Sequence, residues 1–180
     1  MRSFWLLTFS LLATVAPAAS SLVTLPPQGS CELTIYNKED LTYVKETREL
    51  SFRAGKNEIK FAWSGCLIDP TSLRLNIQDK DFEVLDARLP ADENEVAIWE
   101  VTSEKQGTAP VEISYFISGL SWKPTYEIIT NEEETTATLR PWITVTNKSG
   151  KDFINAKSRV VVGEINLTEK IAHLAWQERR

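Results

Sequence analysis

Histidine and cysteine are scarce in this sequence, and glycine is never clustered. His173 is the only histidine, Cys31 and Cys66 are the only cysteines, and the seven glycines stand singly. A nucleophile usually needs a histidine or an equivalent base beside it, and a zinc site needs three or four ligands. A phosphate-binding loop needs several glycines close together. The sequence therefore predicts no catalytic residue, no metal site and no cofactor.

Positively charged residues are also fewer than negatively charged ones. The chain has 20 Lys and Arg against 25 Asp and Glu, a net charge of −5. Nucleic-acid binding requires a basic surface, so the composition argues against a nucleic-acid partner. The densest acidic run, Glu132–Glu134, lacks the alternating ligand spacing of a calcium loop and is typical of a solvated turn. A hydrolase built on two carboxylates stays open as an alternative, because any two acids could meet in space.

Long apolar runs are absent except at the start of the chain. Phe4–Val15 is apolar but too short to span a bilayer, and Arg2 precedes it. Ala16-Pro17-Ala18 then fits the small-residue rule for cleavage. We interpret residues 1–18 as a secretory signal peptide, with an uncleaved anchor as the alternative. Cleavage would leave an exported chain with a net charge of −6 and no membrane span.

What the sequence does contain is alternation of apolar and polar residues, the period of half-buried strands. About ten short strands separated by turns predict an all-β fold of one or two small antiparallel, Ig-like β-sandwich units. Residues 19–30 are interpreted as a leader, and residues 31–92 and 95–180 as two β-regions divided at the acidic loop Pro90–Glu95. Thr168–Glu178 has helical spacing and predicts a short C-terminal helix.

Two stretches near the middle of the chain combine alternation with proline. Tyr115–Tyr126 ends one strand and begins another, and Trp122 and Tyr126 should share a face, either as a core anchor or as a stacking platform. Thr136–Asn147 alternates again. Pro124 and Pro141 cannot donate to a strand ladder, so both strands are predicted to be edge strands or bulged.

Trp142 stands out in the second of these stretches. It shares its predicted face with Arg140 and Thr144, whereas the opposite face is apolar. An exposed tryptophan in that setting could contact a sugar or a protein. Removing the indole by Trp142→Ala would then weaken association without much change in stability.

Cys31 and Cys66 suggest a disulfide, because an even cysteine count is usual in exported proteins with bridges. A bridge would close a long loop and could add roughly 3–4 kcal/mol of stability. The alternative is two separate buried thiols, because sequence spacing does not show whether the two sulfur atoms come within reach.

Several segments in this order resemble the mucoidy-inhibitor-A-like family of bacterial envelope proteins. They are Leu67–Leu75 with the hairpin before it, the Trp122-x-Pro124-x-Tyr126 motif and Asn147-x-x-Gly150-x-Asp152-Phe153. The resemblance covers residues 33–164. The family usually has tryptophan where this chain has Phe153 and an acid where it has Lys151, and its members are longer. The chain is therefore similar to a short or truncated member.

The resemblance implies a location in the periplasm or outside the cell and no established enzymatic activity. We therefore expect a non-enzymatic interaction or structural module that binds a protein partner or itself through β-surface contacts, or by strand addition near Thr136–Thr146. A carbohydrate-binding module for envelope glycans is the alternative, with Trp142, Arg140, Trp122 and Tyr126 as candidate binding residues.

Overall fold

The structure is a computed structural model and describes residues 20–36 and 39–163. The predicted signal peptide, residues 1–18, and the predicted helix, Thr168–Glu178, lie outside the described residues.

Eleven strands and one short 3-10 turn make up the secondary structure of the described residues. The turn is Pro70–Ser72, and the Asp69 side chain accepts a hydrogen bond from the Thr71 N–H at its start. The strands are β1 Ser21–Val23, β2 Cys31–Tyr36, β3 Leu41–Phe52, β4 Gly55–Ala62, β5 Arg74–Ile77, β6 Phe82–Arg88, β7 Val96–Ser103, β8 Gly107–Ile117, β9 Leu120–Thr130, β10 Ala137–Asn147 and β11 Lys157–Val161.

These strands form three sheets. A five-stranded sheet has the order β11-β2-β3-β8-β5, a four-stranded sheet has the order β1-β4-β7-β6, and β9 and β10 form a two-stranded sheet. Most neighbours are antiparallel, as predicted, but β1 runs parallel to β4 and β11 runs parallel to β2. Parallel neighbours cannot be joined by a tight turn, so both pairings depend on segments that are distant in sequence.

The larger two sheets share one hydrophobic core. In β8, apolar residues alternate with polar ones, and Val111, Ile113, Tyr115 and Ile117 lie inside with no exposed surface. Aromatic rings meet across the two sheets, with the Phe61 ring of β4 lying 5.8 Å from the Tyr115 ring of β8. The all-β prediction is confirmed, and a single core between two sheets agrees with the predicted sandwich architecture.

The N-terminal and central strands are interleaved. The acidic loop Pro90–Glu95 connects β6 to β7, which pair with each other in the four-stranded sheet. Strands from before and after this loop also pair in the five-stranded sheet, where β3 lies beside β8. The leader takes part as well, since Ser21–Val23 pairs with Asn57–Ile59. Residues 20–36 and 39–117 therefore form one packed body.

The disulfide favoured by the sequence is absent, and Cys31 and Cys66 are free thiols. Cys31 begins β2 and is buried in the core, whereas Cys66 lies in the loop after β4. The Cys66 sulfur is 3.5 Å from the carbonyl oxygen of Gly150, to which its thiol donates. Strand pairing and loop packing, rather than sequence spacing, decide where the two sulfur atoms lie. The alternative of two separate buried thiols fits Cys31, whereas Cys66 is only half-buried.

Burial of the Cys31 thiol makes stability sensitive to alkali. Removal from water, reinforced by the Glu46 carboxylate, raises the pKa of Cys31 from 9.0 to about 11. The unfolded thiol therefore loses its proton at a lower pH than the folded thiol. We expect the free energy of unfolding to fall as pH rises from 9 towards 11.

The measurement is urea unfolding at several pH values across that window. Cys31→Ala should flatten the alkaline decline, and Cys66→Ala, which removes the less buried thiol, should flatten it less. Equal alkaline slopes for the wild type and Cys31→Ala would contradict this account.

Candidate interaction surface

The two-stranded sheet of β9 and β10 stands apart from the other sheets. Its register runs from Leu120 opposite Asn147 to Thr130 opposite Ala137. Within the described part of the chain, neither strand pairs with any strand other than its partner. We call residues 120–147 the hairpin arm.

The base of the arm is held by a close backbone contact. Gly119 has a φ of +90°, and a Cβ atom there would lie 2.8 Å from the carbonyl carbon of Lys148. The Lys148 N–H donates to the Gly119 carbonyl at 2.7 Å, and the Gly119 N–H donates to Asp40 Oδ1 at 2.9 Å. Only glycine fits this conformation and this approach, so Gly119 sets the direction in which the arm leaves the body.

The loop after β4 provides a second attachment. The Leu67 N–H donates to the Ser149 carbonyl at 3.0 Å, and the Ser118 N–H donates to the Leu67 carbonyl at 3.0 Å. Gly150 packs so closely on Gly65 that a Cβ atom would lie 2.0 Å from the Gly65 carbonyl oxygen. Backbone contacts therefore attach the arm to the body on both sides of its base.

One side of the arm is apolar along its whole length. Directly opposed residues of an antiparallel pair share a face, and the register pairs apolar residues with apolar residues four times in succession. We call these residues the apolar face: Trp122 with Val145, Pro124 with Ile143, Tyr126 with Pro141, and Ile128 with Leu139.

The apolar face is largely open to solvent. Tyr126 is 62% exposed, Ile128 is 67% exposed and Ile143 is 54% exposed. Only Trp122, at the base, is half-buried and packs against the core. An isolated two-stranded hairpin is marginally stable in water, and a contiguous exposed apolar patch marks an interaction site. The arm therefore has a surface that gains stability when it is covered.

The other side of the arm is mainly polar. Arg140 lies opposite Glu127, with 3.6 Å between guanidinium nitrogen and carboxylate oxygen, and both side chains are exposed. Trp142 is 49% exposed on this side, which confirms its predicted exposure. The four candidate binding residues are thus divided: Trp122 and Tyr126 lie on the apolar face, and Arg140 and Trp142 lie on the polar side. A single sugar ring cannot stack on both.

The prolines lie at positions that interrupt the outer edges of the arm. Pro124 is opposite Ile143, and Pro141 is opposite Tyr126. Because proline has no N–H, it fits a strand where that group would point away from the neighbouring strand. Each outer edge therefore lacks a donor near its middle, which disfavours the addition of another strand at this point and leaves the apolar face as the better contact surface.

The tip of the arm is acidic and ordered. The Thr136 N–H donates to Asn131 Oδ1 at 3.0 Å, and the Asn131 N–H donates to the Thr136 carbonyl at 3.2 Å. Glu132, Glu133 and Glu134 lie between them and are exposed. This is the solvated turn predicted from the sequence, and it places three carboxylates at the end most distant from the body.

After the arm, the chain returns to the core through Lys151. Its Nζ atom lies 3.3 Å from both carboxylate oxygens of Glu46 and donates to the Tyr115 hydroxyl oxygen at 2.6 Å. The rings of Phe61, Tyr115 and Phe153 surround the ammonium group at 5.0 to 5.7 Å from their centroids. These contacts combine an ion pair with cation–π attraction.

The Glu46 carboxylate is fully buried and depends on this lysine. Its only other ionic partner in the described structure is Arg48, 3.3 Å away. Burial, with the Glu46 charge as a second cause, raises the pKa of the Tyr115 phenol, which therefore stays protonated. The sequence signal for this cluster was weak, because Glu46 and Lys151 both resemble ordinary surface residues of a strand and a loop.

Two glutamates line one cavity, as the alternative of a hydrolase with two catalytic carboxylates would require. Glu93 and Glu95 border a cavity of about 310 Å³ beside Trp63. Glu93 is paired with Lys60, however, and the Glu95 carboxylate accepts the Gly65 N–H at 3.1 Å. Within residues 20–36 and 39–163, no group of three or more His, Cys, Asp or Glu side chains is placed to hold a metal ion.

Comparison with protein-family models, curated proteins and solved structures found no match for this chain. In the same described ranges, no helix is long and apolar enough to cross a membrane.

The Glu46–Lys151 pair generates a stability prediction. Lys151→Met leaves a buried carboxylate with only Arg48 as a partner, and we expect a loss of about 3 kcal/mol in the free energy of unfolding. Urea unfolding measures it. Lys45→Ala is the matched control, since Lys45 makes a partly exposed ion pair with Glu112 at 3.0 Å and should change stability by less than about 1 kcal/mol.

A double variant separates the pair from the packing around it. Glu46→Leu combined with Lys151→Met removes both charges and should cost less than Lys151→Met alone, because no uncompensated charge stays buried. If Lys151→Met costs no more than Lys45→Ala, the pair does not secure the return of the chain.

Proposed function

We propose that this chain is an exported, non-enzymatic interaction protein of the bacterial envelope, related to the mucoidy-inhibitor-A-like family. The hairpin arm is its contact surface. The observation that carries the proposal is the exposed apolar face on a hairpin whose base is rigidly attached. Of the apolar face, only Trp122 packs against the core, so the rest of the face is available for contact with another apolar surface.

The proposed location and family are inferred from the sequence, and export can be tested separately from the contact surface. The apolar run Phe4–Val15 and the Ala16-Pro17-Ala18 motif support export. When the whole chain is produced in a bacterium, we expect the mass of the purified protein to correspond to a chain beginning at Ala19. A protein that keeps residues 1–18 would contradict export by cleavage.

Contact through the apolar face has more support than binding of a glycan. Stacking of a sugar needs an accessible ring with polar groups around it, and only Trp142, beside Arg140, offers that combination. The apolar face, in contrast, has eight residues in four opposed pairs. Association through it depends on water exclusion, which scales with the apolar area covered.

An open apolar face should bind a fluorescent apolar dye while the protein is fully folded. We expect anilinonaphthalene sulfonate fluorescence to rise with the dilute protein and to fall when Tyr126→Ser and Leu139→Ser are combined, because both side chains are exposed on the face. Since neither residue is buried, the urea midpoint should change little.

Ile129→Ser is the matched control for the dye experiment. Ile129 is also an exposed apolar residue of β9, but it lies opposite Thr138 on the polar side. The dye signal should be the same for this variant as for the wild type. A folded wild-type protein that binds no dye would mean that the apolar face is covered, and the proposal would fail.

A further inference from the structure

The shape and charge of the hairpin arm indicate which partner covers its apolar face. We propose that the apolar face binds the same face of a second copy of this chain, with the two arms antiparallel, so that the tip of each arm lies at the base of the other. The inference rests on the function proposed above and adds the identity of the partner and its orientation.

The order of the apolar pairs is compatible with two-fold symmetry. A two-fold axis perpendicular to the arm and lying between the two faces passes midway between the Pro124–Ile143 and Tyr126–Pro141 pairs. The Pro124–Ile143 pair of one copy then contacts the Tyr126–Pro141 pair of the other. The Trp122–Val145 pair likewise contacts the Ile128–Leu139 pair. Every contact is then apolar on both sides, at the usual separation of about 10 Å between packed sheets.

Charge selects the antiparallel orientation. The tip has three exposed carboxylates, Glu132, Glu133 and Glu134, whereas Lys148 lies exposed at the base. An antiparallel pair brings each acidic tip close to Lys148 of the other base, within the range of screened electrostatic attraction. Parallel arms would bring two acidic tips together instead. Arg140 and Glu127, near the middle, already pair with each other.

The size of the face indicates a reversible dimer. Strands of this length extend roughly 35 Å, and a two-stranded ribbon is about 10 Å wide, so the outline of the contact is smaller than the roughly 800 Å² per partner of a typical stable interface. We therefore expect dissociation in the micromolar range. Pro124 and Pro141 oppose pairing through the outer edges, which leaves face-to-face contact.

The test is light scattering after gel filtration of the exported chain at concentrations from about 1 μM to about 1 mM. We expect a shift from monomer to dimer. Ile143→Asp, at the centre of the face, should abolish the dimer, whereas Trp142→Ala, on the polar side, should leave the dissociation constant unchanged. Urea unfolding of each variant confirms that these exposed substitutions leave the fold intact.

Charge reversal tests the orientation. One variant carries lysine in place of Glu132, Glu133 and Glu134, and the other carries Lys148→Glu. For antiparallel arms each variant alone places like charges together and should dimerise roughly tenfold more weakly than the wild type. An equimolar mixture of the two should recover dimers, because each tip then meets a base of opposite charge.

The other outcomes overturn the inference in distinguishable ways. If reversing the tip alone leaves dimerisation unchanged, the antiparallel orientation is wrong. If the wild type stays monomeric over the whole concentration range, a second copy is not the partner. The dye experiment then decides the rest: a monomer that binds the dye keeps the proposed function with a different partner, and a monomer that does not bind it refutes both.

Discussion

The buried carboxylate of Glu46 is the constraint on which the arrangement of this protein depends. It lies in the middle of β3, with no exposed surface, and a lone carboxylate in such a place would be strongly destabilising. Lys151 neutralises it from a segment more than one hundred residues later. The chain returns to this point after the hairpin arm, and the Lys151 ammonium group is held there by the Tyr115 hydroxyl and by the rings of Phe61, Tyr115 and Phe153.

That return positions the arm. Because Lys151 is bound to the core and Lys148 is bonded to Gly119, the two ends of the arm meet at one place on the body. Ser149, between them, is fully buried and bonds to Leu67. A hairpin with so firm a base needs no further contact with the body to keep its direction, so its strands can extend into solvent with their side chains available to a partner.

The arm has features that disfavour pairing through its edges while its apolar face stays exposed. Its apolar residues would make it prone to aggregation if both edges could accept strands. Pro124 and Pro141 remove a donor from each edge, while the acidic tip adds repulsion between arms that lie side by side in parallel. These features disfavour edge-to-edge pairing and leave the apolar face as the surface available for contact. The Trp122-x-Pro124-x-Tyr126 motif and the turn after Asn147 are the sequence features that build this arm and its base.

The sequence by itself determined the strands and their faces, because alternation is a local property that depends only on neighbouring residues. It predicted the all-β class, the solvated turn at Glu132–Glu134 and the exposure of Trp142. The tertiary structure decided the rest. Whether Cys31 meets Cys66, whether residues 31–92 pair with later strands, and which charge neutralises Glu46 all depend on contacts between distant segments, which periodicity does not encode. The apolar face is the clearest case: its side chains resembled those of a core in sequence, and only the pairing of β9 with β10 alone left them exposed.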